Sequence, residues 1–393
     1  MPVLQGDATG TFPDSMKRRL SASLLLACLA AALFVGVQAG DAKAPLTHPV
    51  GFFGIVPQTG LTPRDYEYMK AGGVESVRLP LAWSIIQPTR RSAYDWSSFD
   101  SVLETAARGG MQVLPSIGSP PRWVSRKTTT MPIDNAKQRQ AWQAFLRAAV
   151  ARYGPGGEFW KQHQTGGIGP SPIYQPELPV PRMPIKNWQI WNEANFFYFA
   201  YPVSPQRYAK LVTISSQAIK SVRPGAQVVL SGLFGEPTAK GKKGMPAAEF
   251  LRQFYKYPGI KSRFDDVSLH PYAVDAETLE EYVEEFHEVS VENHDRPGFY
   301  ITEMGWGSQN NFKHDAFEQG IQGQVKQLRD SYGFLLANQR RLNLKQVYWF
   351  TWKDLKGLCD FCDSVGLFRE GPKFHPKPSW RAFVALTGGR ARP

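Results

Sequence analysis

The sequence predicts one α/β domain, a (β/α)8 TIM barrel, on three observations. From Gly51 onward, short β-branched or aromatic runs alternate with stretches of helical periodicity. Eight such runs can be counted, each followed by a helical stretch, as in a barrel of parallel strands. The first run ends in Val56-Pro57-Gln58, without the glycine-rich phosphate loop that usually follows the first strand of a doubly wound open sheet.

In order, the strands are expected to end near Val56, Leu79, Ser116, Asn192, Gly232, His270, Glu303 and Thr351. Helical periodicity is clearest over Ala136–Tyr153, Pro205–Val222, Glu277–Glu292 and Phe317–Ala337. Thr62-Pro63 and Ser204-Pro205 are start signals, with a capping hydroxyl before a proline in the first turn. Pro378 to Leu386 supplies a closing helix, and nothing remains for a second domain. The main irregular stretch, Gly154 to Lys186, is rich in Gly and Pro. Coming after the third helix, it belongs to the stabilising face of a barrel, so it is not assigned to a ligand.

The domain is expected to occupy residues 43–393, with 1–42 a leader and secretory signal peptide. Lys17, Arg18 and Arg19 precede an apolar run from Leu24 to Val37, followed by small residues. That run is shorter than the roughly 20 residues of a membrane span. The expectation is therefore a secreted or extracytoplasmic protein, cell envelope included, with no membrane insertion once the leader is removed. Outside the leader only Cys359 and Cys362 remain, in Cys-Asp-Phe-Cys. Zinc would need two further ligands at similar spacing, so in an exported chain a local disulfide is the better reading.

Of 393 residues, 42% are hydrophobic and 13% aromatic, which suits a large core or pockets lined with rings. The net charge is +12. A basic exported protein is drawn to anionic polymers, although solubility alone also accounts for such charge. Nucleic acid is excluded as a partner because the basic residues are scattered rather than gathered into a stripe.

Two carboxylates stand out. Asn187-Trp-Gln-Ile-Trp-Asn-Glu193 and Phe299-Tyr-Ile-Thr-Glu303 are short apolar strands ending in Glu, the fourth and seventh by this count. Side chains at the ends of these strands project into the catalytic mouth from opposite sides. Two carboxylates across a sugar-sized gap can cleave a glycosidic bond. One protonates the leaving oxygen while the other attacks the anomeric carbon or activates water. Otherwise, a Glu at a strand end is a solvated or ion-paired side chain.

Trp191-Asn192-Glu193 and Ile301-Thr302-Glu303 resemble the acid/base and nucleophile signatures of the clan A glycoside hydrolases, retaining (β/α)8 enzymes. Ala151-Arg-Tyr-Gly-Pro-Gly-Gly157, Trp188 to Asn195 and Pro224-Gly-Ala-Gln-Val-Val229 extend the resemblance to glycoside hydrolase family 39 and its bacterial exopolysaccharide-hydrolase relatives. It covers Gly51 to about Phe383. It implies a hydrolase acting on a polysaccharide or oligosaccharide, without a cofactor, with Glu193 as acid/base and Glu303 as nucleophile.

The resemblance further implies that Asn192 bonds the sugar 2-hydroxyl and that Arg78 holds Glu303 ionised. His270 and Tyr272 would flank the nucleophile, and Trp352 would form the floor beneath the sugar. Trp306, with Trp83, Trp123 and the run Phe196-Phe197-Tyr198-Phe199, could line subsites. Each has a plainer reading as an ion pair or core residue. A metal on His270 with Asp265 or Asp266 is set aside, since those residues cannot all face inward. One departure is Ala194, where relatives usually carry proline, so the Glu193 loop is expected to be less fixed. A non-catalytic polysaccharide-binding barrel and a transglycosidase remain as alternatives. The sugar, the linkage and the oligomeric state are open.

Overall fold

The computed structural model describes residues 48–163, 179–311, 315–357 and 361–393. The expected leader lies outside the described residues, as do Cys359 and positions 164–178 of the Gly/Pro-rich loop. Within that loop, Glu158–Gln162 forms a short helix.

The strands are β1 (Phe53–Val56), β2 (Ser76–Ala82), β3 (Gln112–Gly118), β4 (Asn187–Ile190), β5 (Gln227–Val229 and, after a break, Leu233–Phe234), β6 (Asp266–His270), β7 (Gly298–Met304) and β8 (Leu344–Phe350). Each pairs in parallel with its neighbours, and β8 pairs with β1, so the sheet closes into an eight-stranded barrel. The fold is the predicted (β/α)8 barrel.

Closure sorts the side chains by the two-residue strand period. Trp188, Ile190, Leu269, Ile301 and Val347 face outward and join the core beneath the helices. Val56, Leu114, Val229, Tyr300 and Tyr348 pack together inside the barrel. Nearer the C-terminal ends of the strands the inward positions turn polar, at Arg78, Ser116, Gln189, Ser268 and His270.

Local signals place the helices. Thr62 accepts from the Asp65 amide while Asp65 accepts from the Thr62 amide, a reciprocal cap that starts Pro63–Ala71. Asn135 and Gln138 do the same for Ala136–Tyr153, and Ser204 caps Pro205–Val222. The helix expected from Phe317 begins instead at Gly320. Phe317 belongs to the preceding loop, where its ring centre lies 6.2 Å from that of Tyr272.

Candidate active site

Both carboxylates reach the barrel axis through backbone irregularity. Strict alternation along β7 would turn Thr302 inward and Glu303 outward. The register with β8 slips between Ile301 and Met304, a bulge that lets both face the interior. Thr302 Oγ1 accepts from Gln189 Nε2 at 3.2 Å, and Glu303 meets Arg78. After β4 the chain passes through positive φ at Trp191 (75°) and Glu193 (38°). Such conformations are uncommon for non-glycine residues and tend to occur at functional sites. Here they bring Glu193 over the interior, with its amide donating to the Gly232 carbonyl at 3.2 Å.

Arg78, inward on β2, organises the mouth. Its Nη1 lies 2.5 Å from Glu303 Oε1, and Nε donates to Gln189 Oε1 at 2.6 Å. Nη2 donates to Asn192 Oδ1 at 2.7 Å. Tyr272 donates its hydroxyl to the other oxygen of Glu303 at 2.8 Å. His270 Nδ1 is 2.8 Å from Glu193 Oε1 and 3.6 Å from Glu303 Oε2, so it stands between the two carboxylates and closer to the first. Glu193, His270 and Glu303 each present a ligand-capable atom, all within 4.8 Å of one another.

These three are the described residues that could hold a metal ion together. Their atoms are already engaged, and the Arg78 guanidinium on Glu303 repels a cation, so the arrangement is read as a hydrogen-bonded acid pair. Asp265 is turned away, to Lys220 at 2.9 Å.

The electrostatics separate the two acids. Burial raises Glu193 well above the ordinary carboxylate range, and the nearby Glu303 charge adds to that, with Arg78 opposing. Burial also raises Glu303, but there Arg78 and the Tyr272 hydroxyl pull back toward the ionised form. The proton therefore rests on Glu193 and the charge on Glu303. Burial and the Arg78 charge hold His270 neutral, well below its ordinary value. A neutral imidazole facing a protonated Glu193 forms a single hydrogen bond between Nδ1 and Oε1.

The structure brings Arg78, Asn192, Glu193, His270, Tyr272 and Glu303 together, but not Trp306 or Trp352. Trp352 is wholly buried, ring centres 4.5 Å from Phe368 and 5.3 Å from Trp380, and its indole N–H donates to Asp65 at 2.8 Å. The inward residue at the end of β8 is Phe350, 6.1 Å from Tyr272, whereas Trp352, beyond the strand, joins the core beneath the helices and is not the floor of the mouth. Trp306 is equally buried, against Trp349, and its indole N–H holds the Ala273 carbonyl. Both are corrections to the expected platform residues. Trp83 is buried too. Cys362 is disulfide-bonded.

Sequence reasoning missed Gln189, whose amide links Arg78 to Ser268 and Thr302. It is the polar residue within the apolar stretch 188–191, which is a usable signal. Phe234, Phe317, Phe350 and Phe361 ring Tyr272 at 5.3–6.2 Å between centres. They come from distant parts of the chain, Phe234 and Phe350 from strand ends and Phe317 and Phe361 from the segments between strands and α-helices, and carry no local motif. The Ala194 loop is not slack. The Ala194 amide donates to Ser231 Oγ at 3.4 Å, a bond that proline would forfeit. Asn195, wholly buried, donates to the carbonyls of Phe234 and Met245 at 2.7 and 2.8 Å.

The same fold is found in solved glycoside hydrolases, family 39 enzymes among them. A family 39 glycoside hydrolase from the gut symbiont Bacteroides cellulosilyticus WH2 superimposes with a TM-score of 0.59 at 19% identity, over 86% of this chain and 64% of that one. This chain thus spans less than two thirds of the Bacteroides protein. A family 39 β-xylosidase from Caulobacter crescentus gives 0.58 at 18%, covering 87% of this chain and 73% of its own. A β-glucosidase from Thermotoga maritima gives 0.59 at 13%, covering 88% and 99%. A family model described as β-galactosidase, glycoside hydrolase family 42, matches residues 58–151, which include Arg78 but neither carboxylate. None of the curated proteins matches the sequence.

Proposed function

We propose that this protein is a retaining glycoside hydrolase that cleaves O-glycosidic bonds of a polysaccharide or oligosaccharide by double displacement. One observation carries the reading: the facing oxygens of Glu193 and Glu303 lie within 4.8 Å of one another. Retaining sites hold their carboxyl groups about 5–5.5 Å apart, whereas inverting sites leave about 6.5–9.5 Å for a water.

Glu303 attacks the anomeric carbon while Glu193 passes its proton to the leaving oxygen. The glycosyl–Glu303 ester then forms, and Glu193, now ionised, takes a proton from a water that attacks the anomeric carbon and displaces Glu303 as the free carboxylate. As charge leaves Glu303, Arg78 and Tyr272 keep the oxygens oriented rather than releasing them. The Asn192 amide nitrogen, with no hydrogen bond among the described residues, is free for the sugar 2-hydroxyl. The basic, apolar leader and small residues near 38–42 support export to the cell exterior or envelope.

Turnover of a panel of aryl glycosides and polysaccharides, with the anomeric product followed by NMR, tests the reading. Retained configuration is expected, with Glu193→Gln and Glu303→Gln each slower by roughly 10²–10⁴-fold. Glycan binding without cleavage, unaffected by either substitution, would mean a binding barrel instead.

A further inference from the structure

Glu193, the acid/base of the proposed reaction, follows three residues after β4, so the chain that runs on from it borders the side where the departing part of the glycan sits. That chain does not turn back into the fold. It runs through Phe196, Phe197 and Tyr198 and pairs with the loop after β5, where Phe196 bridges Gly244. The Phe197 amide donates to the Lys243 carbonyl at 2.9 Å, and the Val203 amide to that of Lys242 at 3.0 Å. Two loops thus form a single wall over one side of the mouth.

The wall carries a continuous path of rings. From Tyr272, which bonds Glu303, the steps are 5.8 Å to Phe234, 5.3 Å on to Phe196 in a stacked pair, and 5.0 Å to Tyr198. Exposure grows along it: Tyr272 is 6% exposed, Phe234 and Phe196 are half-buried, and Tyr198 is 64% exposed. Tyr198 also stacks on Phe197, with centres 4.3 Å apart, yet most of its surface stays in water, where a ring suits stacking against a sugar face. Beside the rings stand Lys242 and Lys243, both exposed, with Lys243 Nζ 6.0 Å from the Phe197 ring centre. Neither makes an ion pair among the described residues, while the neighbouring Lys240 faces Glu236.

We propose that this wall is a leaving-group-side subsite for an anionic glycan, with Phe196 and Tyr198 stacking on its rings and Lys242 and Lys243 meeting its carboxylates. The proposal rests on the hydrolase reading for the direction of the chain, and it adds the class of substrate.

Binding is measured on the full chain carrying Glu303→Gln, so that no turnover is needed. Affinity electrophoresis in gels containing polygalacturonate or alginate, with neutral dextran as control, gives the readout. Retardation by a polyuronate is expected and should weaken with salt, since exposed charges are screened. Lys242→Gln/Lys243→Gln should weaken it by about 10-fold and Tyr198→Ala by several-fold, a tenfold loss being about 1.4 kcal/mol. Folding of each variant is checked by circular dichroism, and Lys243→Glu alone serves if the double variant does not fold. No retardation by any polyuronate at low salt would overturn the proposal, as would equal retardation by dextran or indifference to the lysine substitutions. Failure of the hydrolase reading appears separately, as aryl glycoside turnover unaffected by Glu303→Gln.

Discussion

Arg78 Nη1 lies 2.5 Å from Glu303 Oε1, although 225 positions separate the two residues along the chain. The same guanidinium bonds Gln189 and Asn192, so one side chain from β2 ties the Glu303 end of β7 to the segment that runs from β4 to Glu193. Its planar fork is what allows several directed bonds at once.

Removing that charge should therefore move the pH profile as well as the rate. In Arg78→Gln the larger of the two influences that favour ionised Glu303 is gone, leaving the Tyr272 hydroxyl, so the acidic limb of the activity profile should shift to higher pH. Turnover at the optimum should fall on the order of 10²-fold through misplacement of the carboxylates. Activity against pH on an aryl glycoside checks both, and an unmoved acidic limb would contradict the role of Arg78.

The unsubstituted protein should show a bell-shaped profile. Glu303 must lose its proton on the acidic side and Glu193 must keep its own on the alkaline side, and the two limbs belong to the pair as a whole. Burial places the alkaline limb well above the ordinary carboxylate range. Chelators should leave the profile unchanged, since no step requires a metal.

Glu193 should cost the fold stability at neutral and alkaline pH. Its pKa is raised in the folded state, so its contribution is fully present below the unfolded value and is lost as pH rises through the folded one. Glu193→Gln removes the titration while keeping the shape. It should raise stability by about 0.5–2 kcal/mol at alkaline pH, with little gain at acidic pH. Thermal melts of both proteins across pH would show the gap widening, and a gap independent of pH would refute this.

Gly232 should accept no side chain. A Cβ there would lie 2.0 Å from His270 Nε2 and 2.4 Å from Thr302 Oγ1. Gly232→Ala should destabilise the protein by roughly 1–3 kcal/mol and displace the imidazole from Glu193, lowering turnover as well. Denaturant unfolding and kinetics, measured together, test the two effects.

Ala194→Pro introduces the residue that the resemblance leads one to expect after Glu193 and should nevertheless weaken this chain. It forfeits the Ala194 amide bond to Ser231, a loss of about 0.5–1.5 kcal/mol by unfolding measurements. An increase in stability would mean that backbone stiffening outweighs that bond.

The sequence by itself determined the barrel, the order of its strands, and the two strand ends that carry Glu193 and Glu303. Those follow from periodicities of two and 3.6 residues and from capping residues, which are properties of a few neighbours along the chain. Which face a strand-end residue takes is another matter. It depends on how a strand registers with its neighbour and how the sheet closes. The slip beside Glu303 turns it inward, whereas Trp352, two residues beyond the inward Phe350, falls against the helices. His270 lies nearer Glu193 than Glu303, and Phe234, Phe317, Phe350 and Phe361 gather around Tyr272, only because closure brings separate strand ends into one mouth. Contacts of that kind leave no local pattern to read, and the tertiary structure alone decided them.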